Sequence, residues 1–209
     1  MSAGTTSPGN ERSTMASAPL GLRPFSATPT AIDGLHIIEM KEVRDERGTV
    51  REFYRESAFA EAGLPSLGPW LQVNITESKQ GAIRGLHGEN MFKLVAIVAG
   101  EAFGAYVDTR SGSASRGVVV TARLVQGTQV LVPKGVCNGF QSVSPGISQY
   151  LYTFDQEWAP GMAGTAVNPL DPALGIDWPL PVDLDDPAQL SAKDVALPPL
   201  DQVLRDTAS

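Results

Sequence analysis

Residues 92–109 read FKLVAIVAGEAFGAYVDT. Two apolar runs, 92–100 and 102–109, meet at Gly100-Glu101. Each is short, rich in β-branched and aromatic residues, and bounded by turn formers. That pattern predicts two strands joined by a tight turn. The same rhythm extends in both directions. Further runs fall at 35–40, 50–56, 70–76, 116–125, 129–133, 138–144 and 148–154. Turn signals such as Asp45-Glu46-Arg47-Gly48, Gln126-Gly127 and Ser144-Pro145-Gly146 separate them. Evenly spaced short strands predict an all-β sandwich or barrel. A short helix is expected near Ser57–Ala62, with Ser57 as N-cap, and another over Leu200–Arg205. The Pro- and Asp-rich stretch 159–199 reads as loops draped over the barrel. Residues 1–20 are mostly Ser, Thr, Gly, Ala and Pro and read as a flexible tail. One domain is expected over 21–209.

The chain has 209 residues and a net charge of −7, which argues against a general nucleic-acid binder. No apolar run approaches the length of a membrane span, so no membrane partner is expected. A single cysteine, Cys137, excludes an intrachain disulfide and suits a cytoplasmic setting. Cys137 reads as a small buried thiol rather than a nucleophile, since nothing in the sequence pairs it with a base. Two histidines, His36 and His87, are too few for a cupin metal centre, and neither a metal nor another cofactor is expected.

The chemistry concentrates around RGLHGENMFKLV, residues 84–95. His87 can serve as a general base near neutral pH. Lys93 opens an otherwise apolar strand, where an uncompensated ammonium would be costly. A base acting on a carbon acid needs a carboxylate to orient it, a cation to hold an enolate oxygen, and an acid on the opposite face. Lys93 can be the cation; Tyr150 or Tyr152 can be the acid.

These residues sit in an ordered set of motifs. It runs through Asp45-x-Arg47-Gly48 with Glu52, Gln72-x-Asn74, Arg84-Gly85-Leu86-His87, Lys93-Leu94-Val95, Val107-Asp108-x-Arg110, Gly139-Phe140, Leu151-Tyr152 and Leu190-Ser191-Ala192-Lys193-Asp194. The chain thereby resembles the dTDP-4-dehydrorhamnose 3,5-epimerase family over most of residues 32–203. The resemblance implies a metal-free, cupin-type jelly roll (a double-stranded β-helix) with short flanking helices, assembled as a homodimer. The implied substrate is a nucleotide-linked 4-keto-6-deoxyhexose, with dTDP favoured and GDP the alternative. Protons on C3 and C5 are acidified by the C4 ketone, and removal followed by return on the other face inverts the centre. His87 would be the base, Asp194 its orienting carboxylate, Lys93 the enolate-stabilising cation and Tyr152 the acid. Arg47, reaching across a dimer, and Arg84 would bind the diphosphate. Glu52, Gln72, Asn74 and Lys193 would line the nucleotide-sugar site, and Trp158 would stack on the base.

The chain departs from the family pattern at several places. Glu89 stands where a Gln is common, and Val50 where a Phe is usual. Asn138-Gly139-Phe140 replaces a usual His-Gly-Phe, and Gly104 replaces a frequent aspartate. The last two read as one event, a His–Asp pair exchanged for a neutral amide. Asn138 can still hold a keto or hydroxyl oxygen. The nucleotide, and whether C3, C5 or both invert, stay open. A non-catalytic sugar-nucleotide-binding cupin is the alternative from another class.

Overall fold

The structure, a computed structural model, describes residues 21–207. The expected N-terminal tail lies outside the described residues.

Three antiparallel sheets hold the described strands. A small sheet is built from β1 (Gly21–Arg23), β4 (Lys41–Asp45) and β5 (Gly48–Glu52), in that order. A five-stranded sheet runs β10 (Val119–Leu124), β9 (Ala102–Asp108), β12 (Val136–Ser142), β7 (Ile83–Glu89) and β14 (Gly164–Ala166). A six-stranded sheet runs β2 (Ser26–Pro29), β3 (His36–Glu39), β11 (Thr128–Val132), β8 (Lys93–Ala99), β13 (Ile147–Phe154) and β6 (Gln72–Lys79). The two large sheets face each other as a jelly roll. Their shared core holds Val95, Ile97, Val130 and Val132 from one side and Ala102, Tyr106 and Phe140 from the other.

The apolar run that opened the sequence reading is β8, and its composition follows from its place. Val95 and Ile97 point into the barrel, while Leu94 points outward under α1 (Glu56–Glu61), where it joins Phe59, Leu64 and Leu67. A strand covered on both faces needs apolar residues at every position, not alternate ones. Lys93 heads this strand on the inward face and is only 4% exposed.

The outer face of the five-stranded sheet is covered by the C-terminal segment. Leu86, Val107 and Cys137 pack against Leu174, Leu200 and Val203. This packing places α2 (Ala192–Val195) and α3 (Leu200–Asp206) on that sheet.

The structure corrects three local expectations. Helix α1 starts one residue before Ser57; Arg55 is its N-cap, and no side chain caps it. Glu56 in the first turn supplies negative charge toward the exposed N–H groups instead. The stretch 159–199 is not all loop, because β14 pairs with β7. Strand β7 itself was absent from the expected runs.

Candidate active site

The site forms where β7 and β12 run side by side. A Cβ on Gly85 would lie 2.6 Å from Gly139 Cα and 2.7 Å from the Asn138 carbonyl oxygen. Gly85 also takes φ +113°, which side-chain-bearing residues rarely adopt. Only glycine fits this crossing. The ladder carries a register shift between Asn138 and Phe140, and Asn138 pairs with His87. The Arg-Gly-Leu-His motif therefore delivers His87 beside Asn138 through the glycine that precedes it.

His87 Nε2 lies 3.0 Å from Asp194 Oδ1. Asp194 is buried, and its other oxygen accepts from Ser191 Oγ at 2.9 Å. Ser191 is the N-cap of α2, and its hydroxyl accepts in turn from the Asp194 backbone N–H at 3.1 Å. The carboxylate is thus fixed by a helix start, and His87 Nδ1 is left as the unpartnered ring nitrogen among the described residues. Sequence reasoning missed Ser191; its Ser-x-x-Asp spacing is a capping signal that could have found it.

Lys93 Nζ donates to the His87 carbonyl at 3.1 Å, to Asn138 Oδ1 at 2.6 Å and to the Glu89 carboxylate. Burial acts to raise the Glu89 carboxyl pKa, but the Lys93 ammonium overrules it and holds it below the ordinary value. Glu89 enters the sequence reading only as a departure from pattern; here it is part of the site.

Tyr152 faces this cluster. Burial pushes its hydroxyl up to about 12, only partly offset by Arg84 and Thr76. It stays protonated at neutral pH. Tyr150 is fully buried and stacks on Phe140, with centroids 4.1 Å apart and planes 2° apart. The two tyrosines share a face of β13, but only Tyr152 reaches the cavity.

One cavity is lined by Arg84, Gly85, His87, Glu89, Lys93, Asn138, Gly139, Tyr152 and Phe154. A second cleft shares Arg84, Gly85 and His87 and continues past Gln189, Ser191 and Asp194. His87 stands between them.

The remaining residues divide. Gln72 and Asn74 pair in register with Phe154 and Tyr152, so they lie on the sheet face that carries Tyr152. Gln72 Oε1 accepts from the Trp158 backbone N–H at 2.7 Å, which ties the segment carrying the 55% exposed Trp158 to Gln72. Arg84 is held by Ser78 Oγ at 2.9 Å. Lys193 is exposed on α2, one residue before Asp194. Arg47 and Glu52 do not line the cavity. Arg47 is 91% exposed at the β4–β5 turn and pairs with Asp45; Glu52 pairs with Arg55. Among the described residues, no group of three His, Cys, Asp or Glu side chains could hold a metal ion.

An ion-oriented histidine, a protonated tyrosine and a buried lysine around one cavity suit proton transfer at carbon. Comparison with known proteins points the same way. The family model for dTDP-4-dehydrorhamnose 3,5-epimerase matches residues 29–202. The dTDP-4-dehydrorhamnose 3,5-epimerase of Salmonella typhimurium is 36% identical over 181 residues, 84% of this chain and 95% of that protein. A 4-keto-6-deoxy sugar epimerase from the novobiocin gene cluster of Streptomyces spheroides superposes with TM-score 0.79 at 28% identity, covering 89% of this chain and 92% of that one. The dTDP-6-deoxy-D-glucose-3,5-epimerase of Legionella pneumophila, solved with dTDP-4-keto-L-rhamnose, gives TM-score 0.76 at 33% identity, covering 88% and 97%. With the match spanning nearly the whole described chain, the protein belongs to the dTDP-4-dehydrorhamnose 3,5-epimerase family.

Proposed function

We propose that this chain epimerises a nucleotide-linked 4-keto-6-deoxyhexose, preferably the dTDP sugar, at C3, C5 or both. His87 takes the proton α to the ketone, through the nitrogen that Asp194 does not hold. The electron pair moves onto the C4 oxygen, on the side where Lys93 and Asn138 supply positive field. Tyr152 then gives its proton to the same carbon from the opposite face, and the centre inverts. The tyrosinate and the imidazolium return to their starting states by proton exchange with solvent. The single observation that carries this reading is that the Asp194-held histidine and the neutral Tyr152 line the same small cavity.

Arg84 holds the diphosphate, where a guanidinium matches phosphate geometry. Gln72, Asn74 and Trp158 form the rim that receives the nucleoside, with Lys193 and Glu52 further out. The working unit is a homodimer, in which Arg47 serves the partner's site. Support comes from Leu71, Val73 and Ile75, each more than half exposed in or beside the edge strand β6, a face in need of a cover. The buried free thiol of Cys137 fits a reducing compartment such as the cytoplasm.

The test is proton NMR in D2O with dTDP-4-keto-6-deoxyglucose. Deuterium should enter C3 or C5 with the native chain and not with His87→Asn, and the labelled carbon names the centre. No exchange with the dTDP or the GDP keto sugar would overturn the reading in favour of a binding-only cupin.

A further inference from the structure

A lysine ammonium has three N–H donors and no acceptor. In this site all three are engaged. Lys93 Nζ meets the His87 carbonyl oxygen, the Glu89 carboxylate and Asn138 Oδ1. Its side chain is 5% exposed, so only a sliver of it reaches the cavity it helps to line. Its charge is also matched at contact distance by Glu89. A cation in this state is a poor direct donor to a substrate oxygen.

The same contacts decide which way Asn138 points. Only the amide oxygen can face an ammonium, because the amide nitrogen would set donor against donor. Asn138 Oδ1 therefore turns toward Lys93, and Nδ2 turns away. Asn138 is 5% exposed and lines the cavity, and Nδ2 has no protein partner among the described residues. The backbone cannot let it drift, because Asn138 sits at the Gly85–Gly139 crossing opposite His87.

We propose that the hydrogen-bond donor to the sugar's C4 oxygen in this protein is the Asn138 Nδ2 amide, and that Lys93 and Glu89 are positioning residues that hold it. This rests on the epimerase reading above. The amide carries no net charge, but the Lys93 contact on its oxygen polarises its N–H bonds. The Asn-for-His departure is then a working donor, aimed by an ion pair that the Glu-for-Gln departure completes. The two departures belong together.

Two measurements test it. The first is the rate of deuterium exchange from D2O into dTDP-4-keto-6-deoxyglucose, native against Asn138→Leu and Asn138→Ser, with unfolding midpoints recorded. Loss of one preorganised oxyanion donor should lower kcat by about 10²–10³-fold and change KM little. Retention of kcat within about threefold in a folded variant would overturn the proposal, since Lys93 would then suffice as the direct donor. The second needs no stable Leu variant. In ¹⁵N-asparagine-labelled native protein, the side-chain amide signal missing from Asn138→Ser should shift with the keto sugar nucleotide and stay in place with dTDP alone. No shift with the keto sugar overturns the proposal. If the native chain itself exchanges no deuterium, the epimerase reading fails. Exchange in the native chain with an indifferent Asn138 fails only this inference.

Discussion

Asp194 and His87 are separated by 107 residues in the chain and by 3.0 Å in space. The contact depends on the C-terminal segment packing over the outer face of β7, with Ser191 capping the helix that carries the aspartate. Asp194→Asn should lower exchange at C3 and C5 by about 10²-fold or more, because an amide can hold the imidazole in the wrong tautomer. Ser191→Ala should cost about 1 kcal/mol of stability through the lost cap and a smaller share of activity. Exchange kinetics alongside thermal unfolding separate the two effects; equal activity in Asp194→Asn would remove the carboxylate from the mechanism.

Tyr152 and Tyr150 predict opposite outcomes from one chemical change. Tyr152→Phe removes the proposed acid and should reduce epimerisation by about 10²–10⁴-fold. Tyr150→Phe removes a fully buried hydroxyl that has no well-formed protein hydrogen bond, and should leave activity and stability within about 1 kcal/mol of native. The pH profile gives a further check. An ordinary tyrosine near 10 would be half ionised at pH 10 and would lose its proton-donating form. Burial pushes Tyr152 up to about 12, so at pH 10 it is still mostly protonated. An alkaline decline of kcat centred near pH 10 in the native enzyme that is absent from the residual activity of Tyr152→Phe would contradict that assignment.

Asp108 closes the far end of β9 as a buried anion. Burial alone would raise its carboxyl, but hydrogen bonds from Arg110, Ser113 and Ser115 overrule it and hold it well below the usual carboxylate range. A depressed folded value means that the unfolded chain binds the proton more tightly. This contribution to stability is therefore full above pH of about 4 and lost as pH falls below it. Asp108→Asn should cost about 3 kcal/mol, since it leaves the Arg110 guanidinium without its anion. Urea unfolding between pH 3 and 7 should show native stability falling toward acid and the variant's curve flattened over that range.

Legibility in the sequence followed burial. The two-faced strand β8 is a continuous apolar run and was plain. Strand β7, which carries His87, was not, because Gly85 and Gly88 interrupt its seven residues and cancel the alternation that marks a strand. Those interruptions are what let β12 approach. Strand β14 has three residues, Gly-Thr-Ala, which carry no periodicity at all. Ser57 misled because a serine just inside a helix start looks like a cap. The meeting of His87 with Asp194 rests on a long-range path that no local pattern encodes; only the Ser-Ala-Lys-Asp motif pointed to it. Glu89 stood out only as a departure from pattern, because its contact with Lys93 depends on the strand geometry.

The Gly104 departure has a physical cause in the neighbouring residue. A Cβ there would lie 2.7 Å from the Tyr106 hydroxyl oxygen, so the tyrosine fills the space that a side chain at 104 would need. Gly104→Ala should destabilise by about 1–3 kcal/mol through overpacking, and Gly104→Asp by more. Tyr106→Phe removes the clashing oxygen, which is fully buried and has no well-formed protein hydrogen bond. The double variant Gly104→Ala/Tyr106→Phe should thus recover most of the loss. A double-mutant cycle with additive costs would refute the steric link. Rebuilding a His–Asp pair with Asn138→His and Gly104→Asp should fail to fold well unless Tyr106 is shortened as well.

Arg47 provides the test of the proposed dimer. It stands 91% exposed at a hairpin tip, away from the cavity of its own chain. If it serves the partner's site, Arg47→Ala and His87→Asn chains should each be nearly inactive alone and complement one another when mixed. Random pairing makes half of the dimers mixed. Each mixed dimer has one site with an intact His87 from one chain and an intact Arg47 from the other. Mixing equal amounts should therefore restore about a quarter of native activity. An Arg47 that acted only within its own chain would give no complementation. The exposed Ile75 supplies the control: a glutamate there places charge on the apolar face of β6, should shift sedimentation from dimer to monomer, and should abolish the complementation with it. A mixture that recovers activity while sedimenting as a monomer would contradict the shared site.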